Sequence, residues 1–156
     1  LGALIGLSDN WRVDCYMVAE HLLWLQQHYW QSRYSISFPR LRPCAGGIEP
    51  ASIMDERQLV QTICAFRLLA PEIELSLSTR ESPWFRDHVI PLAINNVSAF
   101  SKTQPGGYAD NHPELEQFAP HANRRPETVA DALAAQGLQP VWKDWDAYLG
   151  RASQRR

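Results

Sequence analysis

Cysteine is scarce in this chain, with three in 156 residues: Cys15, Cys44 and Cys64. An odd number at wide spacing excludes a disulfide framework and points to a reducing, cytoplasmic setting. No pair has the spacing of a zinc finger or an iron–sulfur motif, so none is a candidate metal ligand. Cys15 and Cys64 fall in helical patterns and read as small core residues. Also absent is an apolar run of about 18 residues, which excludes a membrane-spanning helix. Positive charge is not in excess: 15 Lys and Arg face 17 Asp and Glu, for a net charge of −2. A broad nucleic-acid surface would make the domain clearly basic, and the basic end "GRASQRR" (Gly150–Arg156) reads as a solvated tail. Neither a G-x-G-x-x-G fingerprint, a P-loop nor a nucleophile elbow occurs. The histidines (His21, His28, His88, His112, His121) lack metal-site spacing; His21 and His28 share a helix face that reads as solvated. The opening "LGALIGLSDN" lacks an initiator Met and a basic leader. It is expected to be a cut inside or beside a strand, leaving one sheet edge without its neighbour.

Apolar residues make up 45% of the chain, enough for the core of one domain. Leu1–Leu7 reads as a buried strand, and Ser8-Asp9-Asn10 as a turn and helix cap. From Trp11 to about Gln31, Cys15, Val18, Leu22, Leu25 and Tyr29 recur at helical spacing. "YSISF" (Tyr34–Phe38) alternates as a strand, and a Pro- and Gly-rich loop follows. Asp55 with Gln58 predicts a capping box, and Leu59, Ile63, Phe66 and Ala70 a helix face stopped by Pro71. Ile73–Ser78 is the next strand, and Ser82-Pro83 opens a short helix to about Ile90. Leu92–Phe100 holds a fourth strand, followed by the turn-rich "SKTQPGGY". Pro126–Gln136 reads as a helix closed by Gly137, and "PVWKDWDAYLG" as an aromatic segment packed on the body.

Strand–helix alternation predicts an α/β fold with a parallel sheet. A doubly wound open sheet and half of a (βα)8 barrel both fit the order; in a barrel, function sits on the loops after the strands' carboxyl ends. Those positions hold Ser8-Asp9, Arg40, Ser78-Thr79-Arg80-Glu81 and Ser98-Ala99-Phe100-Ser101. Arginine there can grip a carboxylate with its planar fork, and serine hydroxyls can satisfy what remains of a carboxylate or amino group. Arg80, Ser78 and Ser98 therefore make a candidate amino-acid pocket, against the alternative that Arg80 pairs with Glu81 or Glu74. Of Arg40 and Arg42 only one is expected to face the mouth, and Arg40, nearer the strand end, is the candidate. Gly106-Gly107 either lets backbone approach a ligand or forms a plain tight turn. Tyr108, Trp142 and Trp145 read as packing.

"SFPRLRP", "LSTRES", "VSAFSKTQPGGY" and "PVWKDWDAYLG" together resemble the carboxyl-terminal half of the 2-iminoacetate synthases, the radical S-adenosylmethionine tyrosine lyases of thiazole and thiamine biosynthesis. The tyrosine-cleaving [FeFe]-hydrogenase maturase shares the first three motifs more loosely, and biotin synthase the general plan. The resemblance implies the carboxyl-terminal half of a radical S-adenosylmethionine (βα)8 barrel, strands five to eight, over residues 1–109. An extension of the biotin and thiazole synthesis type would fill 110–156. It further implies a [4Fe–4S] cluster that cleaves S-adenosylmethionine to a 5′-deoxyadenosyl radical, then scission of the tyrosine Cα–Cβ bond to 2-iminoacetate and p-cresol. Arg80, Ser78, Ser98 and Arg40 would hold tyrosine; Gly106 and Gly107 are the candidates for contacting cofactor. The family's C-x-x-x-C-x-x-C motif is absent, so the fragment alone is expected to bind no cofactor and to be inactive. Relatives carry "SAGS" where this chain has "SAFS", placing Phe100 at a glycine position. The implied partners are L-tyrosine, the missing half-barrel and thiazole synthase, with no nucleic acid or membrane. Two alternatives remain: another aromatic-amino-acid radical lyase, and a non-catalytic fragment that self-associates through its open sheet edge.

Overall fold

Three short strands pair in parallel and in chain order: β1 (Ser35–Ser37), β2 (Glu74–Leu77) and β3 (Asn96–Val97). In this computed structural model, residues 1–42, 48–103 and 123–142 are described. The segment 1–7 lies against β1, also parallel, through isolated bridges from Gly2 to Ser37 and from Ile5 to Arg40. It is held at two points rather than as the continuous strand expected. Four parallel segments thus follow one another without a reversal of order, a singly wound arrangement.

Helices fill the connections: α1 (Trp11–His28), α2 (Glu56–Leu69), α3 (Pro83–Ala93) and α4 (Pro126–Ala135). Their starts are set by local chemistry. The Asn10 side chain accepts from the Arg12 N–H. Asp55 and Gln58 form the reciprocal capping box, at 2.7 and 3.0 Å. Ser82 Oγ accepts from the Phe85 N–H at 3.2 Å, with Pro83 in the first turn. Gly137, at φ 77°, closes α4 in the left-handed region, where the Leu138 N–H reaches the Leu133 carbonyl.

Two helices end more than one residue from where the sequence places them. α1 stops at His28 instead of about Gln31, with Tyr29 as its C-cap and its N–H still bonded to the Leu25 carbonyl. α3 runs past Pro91 to Ala93. A proline removes only one helical hydrogen bond there, and Ile90, Ala93 and Ile94 pack with the core.

One face of the sheet carries the core. Ile36 and Phe38 from the β1 region, Ile73 just before β2, and Leu75 and Leu77 of β2 are buried. They cluster with Leu22 of α1, Leu59, Ile63 and Phe66 of α2, and Phe85, Val89 and Ile90 of α3. The helices therefore cover a single face, while Ser35, Ser37, Glu74 and Ser76 line the other and are only half-buried. At the amino ends of the strands, Arg67 ties the layers together. It donates to the carbonyls of Pro71, Ile73 and Ala93 at 2.7, 2.8 and 2.7 Å, and to the Asn95 side chain.

Candidate active site at the carboxyl ends of the strands

The β2 alternation does not end with the strand. From Glu74 to Glu81 every second residue is buried: Leu75, Leu77, Thr79 and Glu81, while Ser76, Ser78 and Arg80 are half-buried. Arg80 follows directly on the serine face, in the turn after the strand. The Ser78 Oγ accepts from the Arg80 N–H at 3.3 Å, which turns the chain at the tip. Ser76 in turn meets Ser35 across the sheet, Oγ to Oγ at 3.0 Å.

Register brings Ser98 to the same place. Ser76 pairs with Asn96 and Leu77 with Val97, so the next step sets Ser78 beside Ser98. The Ser98 N–H donates to the Leu77 carbonyl at 3.1 Å. Three of the four candidate substrate residues, Ser78, Arg80 and Ser98, thus occupy adjoining strand tips.

The fourth, Arg40, is engaged differently. Its Nε donates to Glu81 Oε1 at 3.1 Å, one terminal nitrogen binds Glu81 Oε2, and the other donates to the Met54 carbonyl at 2.9 Å. Arg42 reaches the same Glu81 at 3.1 Å and donates to the Arg80 carbonyl at 3.1 Å. Arg40 and Arg42 were expected on different faces; the structure brings both to Glu81, as the period of two in extended chain requires. Glu74, the other carboxylate offered to Arg80 by the sequence, bonds Arg33 at 2.8 Å. Burial lowers the Arg80 pKa first and the nearby Arg42 second, while Glu81 opposes both. The tip is thus an arginine-rich surface around one buried carboxylate.

Behind it lies a second polar group that sequence reasoning missed. Arg86 of α3 is wholly buried and donates to the Ser98 carbonyl. Its neighbour Asp87 takes a two-pronged bond from Arg124, at 2.7 and 2.9 Å, fastening the residues before α4 to α3. The available signal was "FRD" (Phe85–Asp87), a charged pair just inside an otherwise apolar helix start.

Gly106, Gly107, Tyr108, Cys44 and Trp145 lie outside the described residues. Trp142 is exposed, His21 and His28 are exposed on α1, Cys15 is buried and Cys64 half-buried. Among the described residues no group of three His, Cys, Asp or Glu could hold a metal ion, and no helix is long and apolar enough to cross a membrane. A separate cavity of about 290 Å³ sits between α3, β3 and α4, lined by Ile90, Val97, Val129 and Leu133 and by the polar Asn95 and Asn96 among others.

Known proteins resemble this chain in sequence and in fold. A 2-iminoacetate synthase of Salmonella typhimurium is 90% identical over 156 residues, covering 100% of this chain and 41% of the relative. One of Escherichia coli is 93% identical over 155 residues, covering 99% of this chain and 41% of the relative. The chain therefore spans about two-fifths of the length of these curated relatives. Among solved structures, HydG, a maturase of the [FeFe]-hydrogenase, matches with a TM-score of 0.81 at 29% identity, over 99% of this chain and 35% of that one. HydG from Carboxydothermus hydrogenoformans matches with a TM-score of 0.76 at 25% identity, over 92% of this chain and 32% of that one. The sequence model for the Biotin and Thiamin Synthesis associated domain matches residues 37–139, so the chain belongs to that family.

Proposed function

We propose that this chain is the substrate-gripping half of a radical S-adenosylmethionine tyrosine lyase, a 2-iminoacetate synthase serving thiazole biosynthesis. The observation that carries the proposal is the 90 to 93% identity, along essentially the whole chain, to two proteins of that name. In this reading the segment 1–7 and β1, β2 and β3 are strands five to eight of a (βα)8 barrel, and 110–156 form the family extension. The singly wound order and the helices on one face favour that arrangement over a doubly wound sheet. The half-buried serine face is then the barrel interior, and the two open sheet edges are completed by the remainder of the longer enzyme.

The proposed chemistry divides accordingly. The family's C-x-x-x-C-x-x-C motif does not occur in this sequence, so in the proposal the [4Fe–4S] cluster and S-adenosylmethionine belong to the rest of the enzyme, where they would supply the hydrogen-abstracting radical. This half positions the substrate. Arg80 grips the tyrosine α-carboxylate, and the Ser78 and Ser98 hydroxyls take the remaining carboxylate lone pairs or the amino group. Fixing that end of the molecule fixes which hydrogen faces the radical, and so which bond breaks. The network of Arg40, Arg42 and Glu81 holds the Arg80 loop; in the proposal Arg40 contributes through Glu81. The products are 2-iminoacetate and p-cresol, which makes thiazole synthase the partner the proposal names and the cytoplasm its setting.

The test is Arg80→Ala in the full-length enzyme. Tyrosine-dependent p-cresol formation is expected to disappear while iron and sulfide content stay normal. Unchanged p-cresol output would refute the assignment of Arg80.

A further inference from the structure

Arg86 is wholly buried, and it is satisfied unlike the half-buried Arg67 at the other ends of the strands. Arg67 makes four hydrogen bonds and is accounted for by stability alone. Arg86, with none of its surface exposed, has one, to the Ser98 carbonyl. Its Nε and its other terminal nitrogen have no hydrogen-bond partner among the described residues. Burial lowers its pKa to about 10, with Arg124 contributing, so it remains charged at neutral pH. A buried, half-satisfied cation costs stability rather than supplying it. Its presence needs a reason at the place it touches.

That place is the tip of β3. The Ser98 N–H is held by the Leu77 carbonyl at 3.1 Å, and the Ser98 carbonyl by Arg86. Both backbone groups of one residue are thereby fixed, which fixes the direction of its Cα–Cβ bond and so the few positions its hydroxyl can take. Two residues on, Phe100 sits at φ 53°, in the left-handed region that disfavours a side chain. Such a conformation persists only where neighbouring contacts over-determine it. Arg86 holds the chain two residues earlier, at the Ser98 carbonyl.

We propose that Arg86 is a positioning residue: by holding the Ser98 carbonyl from the α3 side, it aims the Ser98 hydroxyl at the amino-acid end of the substrate beside Arg80. The inference rests on the proposed tyrosine pocket and adds a residue to it that does not touch the substrate. It requires an effect on affinity that passes through Ser98, which a purely structural arginine would not produce.

The experiment measures the equilibrium dissociation constant for L-tyrosine in the full-length protein, by dialysis with labelled tyrosine. Wild type is compared with Arg86→Met, Arg86→Lys, Ser98→Ala and the two double variants. Arg86→Met is expected to weaken tyrosine by about tenfold, since a displacement of one ångström in a positioned group is costly. Arg86→Lys, which keeps one donor to the carbonyl, should recover most of that loss. In the Ser98→Ala background both substitutions should have little further effect, because the group they aim is gone. If Arg86→Met does not fold, the Arg86→Lys and Ser98→Ala cycle decides: a few-fold loss that vanishes without Ser98 supports the inference. Additive losses, or wild-type affinity in a folded Arg86→Met protein, overturn it. Loss of tyrosine binding in Arg80→Ala alongside unchanged binding in Arg86→Met would leave the pocket standing and remove only Arg86 from it. Unchanged binding in Arg80→Ala would instead remove the pocket.

Discussion

Arg40 holds Glu81 in a two-pronged grip, with its Nε 3.1 Å from Oε1 and a terminal nitrogen against Oε2. The two residues come from neighbouring strand tips, and Glu81 is 2% exposed. The bond therefore joins the end of β1 to the loop that carries Arg80. Removing one partner of a buried pair strands the other charge in a dry site. Glu81→Ala leaves both Arg40 and Arg42 without their carboxylate, and is expected to cost about 3 kcal/mol. Urea denaturation of the full-length protein measures this. A loss below about 1 kcal/mol, the range of an exposed surface pair, would mean that the grip does not hold the tip together.

At the opposite ends of the strands, Arg67 bonds the carbonyls of Pro71, Ile73 and Ala93 and the Asn95 side chain at once. Only a planar fork with several donors spans these acceptors; a lysine reaches one or two. Arg67→Ala and Arg67→Lys are both expected to destabilise, by about 1 to 2 kcal/mol for alanine, because the part-buried carbonyls of Ile73 and Ala93 lose their donors. Tyrosine affinity should be unaffected in the folded protein, since the site lies at the far ends of the strands. Full recovery by lysine in the same denaturation measurement would contradict the account.

Phe100 occupies a left-handed backbone position, at φ 53°. Glycine adopts that conformation freely, whereas a β-branched residue is a severe misfit. Stability is expected in the order Phe100→Gly at or above wild type and Phe100→Val below it, the two variants differing by about 1 to 2 kcal/mol. Thermal melts of the pair give the answer directly. Equal stability of the glycine and valine variants would show that the conformation carries no strain.

Much of this was legible in the sequence. The capping box at Asp55 and Gln58, the Ser82-Pro83 start and the Gly137 stop are local, so local residues announce them. The alternation Ile73-Leu75-Leu77 against Ser76-Ser78 fixed the burial face, and it continues through Thr79 and Glu81. What was hidden depends on partners distant in the chain. Nothing in "PRLRP" says that Arg40 and Arg42 both converge on Glu81, 41 and 39 residues away. Arg86 is 12 residues from the carbonyl it holds, and Asp87 is 37 from Arg124. The end of α3 was misplaced at about Ile90, because packing of Ile90, Ala93 and Ile94 sustains the helix through Pro91 to Ala93.

The central claim is that Arg80 binds the carboxylate of tyrosine, and the sharpest measurement compares tyrosine with tyramine, which lacks that group. In the full-length protein, competition dialysis should show wild type preferring tyrosine by at least about tenfold, the worth of one charge-assisted hydrogen bond. Arg80→Ala should bind both ligands weakly and alike. A variant that keeps the wild-type preference for tyrosine would place the carboxylate elsewhere and contradict the account.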